Sequence, residues 1–349
     1  MERIFKDFKK TYETLLKSTS HQGDLYHLEG DVWTHTMLVF NQARLNNASK
    51  NLQIAALLHD IGKPLAKNHL ENGKIVFRGH EGISTLMSID FLINLVYKDT
   101  VSFLNAIEIL YITNYHGIFW RKSDKQIKKY FVNGHYDLYE KLYEFSSYDA
   151  KGNISFKDFQ YKEKEKYGFN KICNTILDKN CYIMIGLPGS GKSTYIKKNF
   201  KDLEVLSRDD ILLEYGKKKG YGDTYTDIWK KLSSEDQKEI NKILLQKFNK
   251  LKKSNKDFVI DMTNISWKSR RRWLSQLDDY NVKAVVMLSS LDEILKRNKE
   301  RSEIDGKFIP ENILIDFAKR FELPLYTEGF NRIYFEYMKD TTQCLFFHN

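Results

Sequence analysis

Cysteine is scarce in this sequence and long apolar runs are missing. The three cysteines, Cys173, Cys181 and Cys344, form no CxxC pair and no even framework. That pattern suits a reducing cytoplasm, with each thiol a small apolar filler. No apolar stretch approaches the roughly 18 residues that a membrane span requires. The opening MERIFKDFKK is amphipathic and charged, without an apolar signal core, so the chain is expected in the cytoplasm with no membrane partner. No internal repeat is visible.

What is present is globular: 42% hydrophobic and 29% charged residues over 349 positions, too long for one small core and suited to two domains. Net charge is +10, and it is uneven. The first 165 residues carry 22 Lys and Arg against 20 Asp and Glu; the remainder carries 34 against 26. A polyanionic partner would explain a basic C-terminal half, and so would a Lys-rich coding bias. Of the 22 Phe, 21 Tyr and 5 Trp, most are expected in the core, with stacking on nucleobases left to a few exposed ones.

Apolar residues at helical spacing recur over 4–16, 32–43, 52–58, 83–96, 101–112, 127–131 and 138–145, with breakers at 69–74, 133–134 and 151–153. Residues 1–165 therefore read as an all-α bundle. A charge-dense stretch at 157–166 reads as a solvated helix or connector at the boundary. Beyond it, over 166–349, short strand-like runs at 181–185, 204–206, 257–260, 283–288 and 332–337 alternate with helices. That alternation predicts an α/β domain with a parallel sheet covered on both faces. The Lys-rich segment 216–222 reads as a flexible basic loop.

Gly186-Leu187-Pro188-Gly189-Ser190-Gly191-Lys192-Ser193 matches GxxxxGK[ST] after a strand and before a helix that opens at Thr194. Glycines let backbone N–H groups face phosphate oxygens, and the helix N-terminus adds a favourable dipole. Lys192 is expected on the β- and γ-phosphates of ATP or another NTP, and Ser193 on Mg²⁺. The alternative is a chance Gly-rich turn. The next strand runs into Ser207-Arg208-Asp209-Asp210, where a carboxylate can take the proton of an attacking hydroxyl; Asp209 is the candidate base, against a helix N-cap role that Asp210 could also fill. Asp261, ending a buried strand, sits where a Mg²⁺-bound water is held. Arg297 and Arg301, four apart, share a helix face before the polar stretch 302–308. They read as lid arginines over the transferring phosphoryl group, or as solvated surface groups.

These residues resemble the polynucleotide 5′-kinase family over GLPGSGKST (186–194), SRDD (207–210), IDMTN (260–264), KRNKER (296–301) and IPENIL (309–314). The resemblance covers 175–340. It implies an adenylate-kinase-like P-loop NTPase fold, Asp209 as general base, and Arg297 and Arg301 on ATP phosphates. Some members carry an arginine that touches a nucleic-acid phosphate two residues after the Asp pair; Leu212 stands there instead. Arg270, Arg271 and Arg272 are candidate substitutes, or a solvated helix face.

Seven of the nine histidines fall at or before position 116. His59-Asp60 interrupts an apolar helical stretch that ends at Gly62-Lys63, and buried polar neighbours of this kind need compensation, which a metal supplies. With His35 before and Asp149 after, the set resembles the HD phosphohydrolase superfamily, H…HD…D. That resemblance implies that His35, His59, Asp60 and Asp149 ligate one ion. His80 and His116 resemble the extra histidines of two-metal members. Mixed imidazole and carboxylate ligands favour Mn²⁺, Fe, Co²⁺, Ni²⁺ or Zn²⁺ over Ca²⁺. Lys63 is placed to hold a phosphate oxygen, or is a surface lysine.

The order, HD bundle then kinase, resembles the bacterial and phage HD-domain polynucleotide kinases. That likeness implies ATP-dependent phosphorylation of 5′-OH ends and removal of a 2′,3′-cyclic phosphate or 2′-phosphate. The implied partners are RNA ends, including cleaved tRNA, with DNA 5′-OH ends also open, and a separate RNA ligase acting afterwards. Two rivals remain from the sequence: a nucleoside or metabolite kinase fused to a nucleotide-hydrolysing HD domain, and a non-catalytic nucleotide or nucleic-acid sensor.

Overall fold

Helix α1 (Glu2–Lys17) buries Ile4, Phe8, Tyr12 and Leu16, a four-residue repeat that lays a single stripe against the core. Each of the larger side chains in that stripe contributes roughly 1.5–3 kcal/mol by leaving water. The computed structural model describes residues 1–20, 29–131, 135–152, 177–304, 307–338 and 344–348. Contacts divide the chain into two units, Met1–Ile172 with Ala318–Leu323, and Cys173–Phe317 with Pro324–Asn349. The charge-dense segment at 157–166 lies outside the described residues, as do Cys173 and the side chain of Cys344; Cys181 is buried.

The first unit is helical. After α1 come α2 (Val32–Leu45), α3 (Lys50–Leu58), the single turn α4 (Lys63–Ala66), α5 (His80–Tyr97), α6 (Phe103–Tyr115), the short α7 (Ile118–Arg121) and α8 (Asp124–Phe131), and α9 (Tyr136–Gly152). Asp31, Ser49 and Ser102 cap α2, α3 and α6 by accepting from backbone N–H groups three residues on. Helices α5 and α6 are apolar on most of their surface because both are buried on most sides. Two details depart from the sequence reading. The breaker at 69–74 joins a small ribbon, β1 (Asn68–His69) paired antiparallel with β2 (Ile75–Val76), so the bundle is not wholly helical. The helix expected to carry His59-Asp60 ends at Leu58, and both residues sit in the turn that follows.

The second unit is a six-stranded sheet in the order β4-β5-β3-β6-β7-β8. Its strands are β3 (Asn180–Ile185), β4 (Glu204–Ser207), β5 (Phe258–Asp261), β6 (Asn281–Leu288), β7 (Arg332–Met338) and β8 (Cys344–His348). Five run parallel; β8 pairs antiparallel at the β7 edge and was not anticipated from the sequence. The connecting helices are α10 (Lys192–Asn199), α11 (Arg208–Lys218), α12 (Tyr225–Lys231), α13 (Ser234–Lys253), α14 (Trp267–Leu274), α15 (Leu291–Ile304) and α16 (Glu311–Lys319). β3 is central, so the loop after it emerges at the carboxyl edge of the sheet, where α/β folds bind ligands. The supposed loop at 216–222 is helix through Lys218, because Gly216 is buried against Ile228 of α12 and ties α11 to it.

Candidate metal centre and phosphoryl-transfer cleft

In the first unit, helix ends converge on one buried point. His35 lies on α2, His59 and Asp60 just past α3, His80 at the start of α5, His116 just past α6, and Asp149 on α9. Gly62 makes this convergence possible. A Cβ there would lie 2.5 Å from both His80 O and Ser84 N, and its N–H donates to Ser84 Oγ at 2.9 Å. Any larger residue would push the His59-Asp60 turn off α5.

Among the described residues two triads present ligand atoms within 4.8 Å of one another: His35, His59 and Asp149; and Asp60, His80 and His116. Asp60 faces both. Its Oδ2 lies 3.3 Å from His35 Nε2 and 3.2 Å from His59 Nε2, while Oδ1 lies 3.1 Å from His80 Nε2 and 3.8 Å from His116 Nε2. Asp149 Oδ1 is 3.2 Å from His35 Nε2.

The donor set fits a cation. His59, His80 and His116 each direct Nδ1 at a backbone carbonyl, of Ala56 (2.9 Å), Phe77 (2.7 Å) and Thr113 (2.8 Å). A carbonyl only accepts, so Nδ1 carries a proton and Nε2 is the ring nitrogen turned inward as the candidate metal ligand. The inward nitrogens stand 3.4 Å apart in the His59–His35 pair and 3.1 Å apart in the His80–His116 pair. Two lone pairs do not bond each other; a proton or a metal between them does. Burial opposes charge on His35, but Asp149 and Glu29 raise it to about 9. Burial depresses His116 to about 4, with His59 and His80 adding to the effect. Burial opposes ionisation of Asp149 and Asp60, yet the neighbouring histidines, and for Asp60 also Lys63, hold both carboxyls well below the usual range. Lys63 is buried, not a surface lysine, with Nζ 2.7 Å from Asp60 Oδ2.

Two residues join the cage that the sequence reading missed. Glu29 Oε1 lies 2.9 Å from His35 Nδ1 and, after Asp149, favours positive charge on that ring. Glu81 Oε1 pairs with Arg121 at 2.7 Å, and its other oxygen faces His80. Neither acid has a sequence signal beyond proximity to a histidine.

In the second unit, the loop between β3 and α10 lines a cleft of 1130 Å³. Gly191 caps α10 at φ 92°, a left-handed conformation that favours glycine and turns the first helical N–H groups toward the cleft. Pro188, Gly189, Lys192, Ser193 and Thr194 line it, whereas Leu187 and Ser190 turn inward and are buried. Gly186 anchors the loop, donating its N–H to Thr263 O at 3.0 Å. Lys192 Nζ donates to Gly186 O (2.9 Å) and Leu187 O (2.8 Å); burial lowers it to about 8 against the pull of Asp261 and Asp209. Ser193 Oγ donates to Asp261 Oδ2 at 3.3 Å. Burial raises the Asp261 carboxyl, partly offset by Lys192. The Ser193–Asp261 oxygen pair is the hard donor set that Mg²⁺ takes.

Asp209 opens α11 on the wall of the same cleft, half exposed, with Oδ2 in contact with Lys307 Nζ. It is not the N-cap, and neither is Asp210: Ser207 Oγ accepts the Asp210 N–H and fills that role. Arg297 and Arg301 both line the cleft. Arg297 is held by Glu293 Oε1 (2.8 Å) and donates to Met338 O (2.7 Å). Leu212 is fully buried and Arg271 is exposed outside the cleft. Arg270, suggested as a substrate contact or a solvated group, is neither: it is fully buried in a two-pronged pair with Glu328. Arg272 does line the cleft, its guanidinium 4.7 Å from the Trp273 ring centre.

A histidine-carboxylate cage on a helical unit and a glycine-rich P-loop on a parallel sheet make two distinct centres on one chain. The HD domain family model matches residues 32–144 and the AAA domain family model residues 182–324, so the chain carries an HD domain followed by a P-loop domain of the AAA type. Asp149 lies five residues beyond the HD match. Over 157 residues the chain is 27% identical to heterogeneous nuclear ribonucleoprotein U-like protein 2 of Mus musculus, covering 43% of this chain and 20% of that protein. It is 28% identical over 141 residues to a provisionally named bifunctional polynucleotide kinase/RNA ligase of Autographa californica nuclear polyhedrosis virus (38% and 20% covered). It is also 28% identical over 154 residues to a bifunctional polynucleotide phosphatase/kinase of Schizosaccharomyces pombe (43% and 32% covered). The chain thus spans a fifth to a third of the length of these relatives. No described helix is long and apolar enough to cross a membrane.

Proposed function

We propose that this protein heals broken RNA ends, its P-loop domain phosphorylating 5′-OH ends and its HD domain removing 2′,3′-cyclic phosphate or 2′-phosphate from the opposite end. The observation that carries the proposal is the presence on one chain of a P-loop cleft with a carboxylate, Asp209, on its wall and a separate six-ligand cage centred on Asp60. Relatives whose names include polynucleotide kinase support the acceptor class. RNA is favoured because a cyclic phosphate requires a 2′-OH; DNA 5′-OH ends remain an acceptor to test. The products, 5′-phosphate and 3′-OH, are what a separate ligase joins.

In the kinase cleft, loop N–H groups and Lys192 hold the triphosphate of ATP. Asp209 takes the proton of the acceptor 5′-OH as its oxygen forms the new P–O bond and ADP leaves. Lys192 and Arg301 neutralise charge on the transferred group, while Arg297 pins α15 to the strand end at Met338. Ser193 and Asp261 would hold Mg²⁺, which would supply neutralising charge to the phosphates.

In the HD domain, His35, His59, Asp60, Asp149, His80 and His116 would hold one or two divalent transition metals, whose Lewis acidity serves phosphoester hydrolysis. Glu29 and the three backbone carbonyls orient the rings. Lys63 offsets the Asp60 charge and offers an N–H to a phosphate oxygen at the cage mouth.

The test uses a nicked RNA stem-loop bearing a 2′,3′-cyclic phosphate and a 5′-OH, with ATP and a panel of divalent metals. Asp209→Ala is expected to abolish end phosphorylation and spare phosphate removal; Asp60→Ala is expected to do the reverse. If one substitution removed both activities, the two-centre assignment would be wrong.

A further inference from the structure

Beside Asp209 the cleft wall carries an aromatic pair that the chemistry above does not use. Thr224 caps the short helix α12, from which Tyr225 and, one turn on, Trp229 project with ring centres 6.0 Å apart and planes 8° from parallel. Both line the cleft. Trp229 is 48% exposed, an unusual cost for an indole on a soluble protein unless something covers it. Tyr225 sits 3.9 Å, ring centre to Nζ, from Lys307, which contacts Asp209, so the stack adjoins the candidate base directly.

The surrounding charge is positive. Arg208 Cζ lies 6.0 Å from the Trp229 ring centre and its guanidinium hydrogen-bonds Gln237. Arg272 lies over Trp273 on the facing helix, and both arginines line the cleft. The two guanidiniums are close enough for Arg208 to lower the Arg272 pKa after burial has done so, which is an arrangement an anion relieves. Flat, partly exposed aromatic surface flanked by guanidinium groups is the chemistry that holds a base and its phosphate. Leu212 is buried, whereas both arginines line the cleft beside the aromatic pair.

We propose that Trp229, backed by Tyr225 and flanked by Arg208 and Arg272, is the platform on which the 5′-terminal nucleobase of the phosphate acceptor stacks. The arginines contact the phosphate on its 3′ side. The cleft therefore selects a nucleotide end with a 3′-phosphate or phosphodiester over a free nucleoside, with little preference among bases, because every base has a π-face. This rests on the kinase reading above.

The test measures KM and kcat with three acceptors: a 5′-OH oligoribonucleotide, a nucleoside 3′-monophosphate and a free nucleoside. Removing one base stack corresponds to roughly 5- to 140-fold in affinity. Trp229→Ala is therefore expected to raise KM for the oligonucleotide by about that factor, with KM for ATP and the melting temperature unchanged. Trp229→Phe should restore most of the loss. Arg272→Ala should raise KM for the two phosphate-bearing acceptors and leave that for the nucleoside alone. An unchanged oligonucleotide KM in Trp229→Ala, with wild-type enzyme active on the same strand, overturns the platform and spares the kinase reading. Wild-type enzyme that phosphorylates the nucleoside as well as the oligonucleotide overturns the selection. Wild-type enzyme that phosphorylates no 5′-OH strand overturns the kinase reading itself and the platform with it.

Discussion

Replacing Arg270 by alanine should unfold the P-loop domain at a lower temperature, and do so in a pH-dependent way. The Arg270 guanidinium donates from Nε and Nη2 to the two Glu328 oxygens, at 2.7 Å each, and from Nη1 to Asn264 O at 3.1 Å. Both side chains of the pair are almost wholly buried. Glu328 also accepts the Leu325 N–H at 2.9 Å. Asn264 in turn donates to Met184 O beneath the phosphate loop. Truncating the arginine strands a carboxylate out of water, which costs about 3–5 kcal/mol. The acid can escape by protonating; at pH 7 that costs roughly 3.7 kcal/mol from an ordinary glutamate pKa near 4.3, which caps the penalty. In the variant the folded-state pKa of Glu328 is raised above its unfolded value. Its folded state is therefore favoured below the unfolded pKa and loses that advantage as pH rises through the folded pKa. The deficit against wild type should be largest at pH 7 and shrink towards pH 5. For a unit of this size it corresponds to a fall of about 6–15 °C in melting temperature at pH 7. The assay is thermal unfolding of the full chain, following the transition that ATP moves upward, since ligand binding marks which unit is melting. Arg270→Met with Glu328→Leu should recover much of the loss. An Arg270→Ala protein that melts within about 1 °C of wild type at both pH values, with a raised acceptor KM, would refute the strut and make Arg270 a substrate ligand.

Two further outcomes follow from the sites. Because burial holds Lys192 at about 8 in the free protein, ATP phosphates should draw a proton onto it. ATP affinity is then flat below about pH 7 and falls by up to about tenfold per unit above pH 8, with proton uptake visible by calorimetry in buffers of different ionisation enthalpy; equal affinity from pH 7 to 9.5 would count against it. Glu29→Ala removes the acceptor 2.9 Å from His35 Nδ1 and should weaken metal binding by about 10- to 100-fold while kinase turnover persists. Unchanged metal content after dialysis against a competing chelator would show that Glu29 does not orient the ring.

Periodicity and local motifs determined a good deal on their own. The strand-loop-helix context around Lys192, the five parallel strands and most helices of the first unit were readable because hydrophobic spacing and glycine placement are local properties of the chain. His59-Asp60 stood out against an apolar stretch, and the resemblance to the HD phosphohydrolase superfamily supplied His35, Asp149, His80 and His116 as the other ligand candidates. Only the tertiary structure decided how Asp60 divides its two oxygens between the triads, and why Gly62 must lack a side chain for the turn to reach α5. It also separated Arg270, Arg271 and Arg272, neighbours in sequence, into a buried strut, a surface group and a cleft residue, because successive helical positions point about 100° apart. Lys307, Arg208 and Trp229 acquire meaning from partners far along the chain. No local pattern distinguishes such residues from ordinary surface or core until the fold brings those partners within a few ångströms.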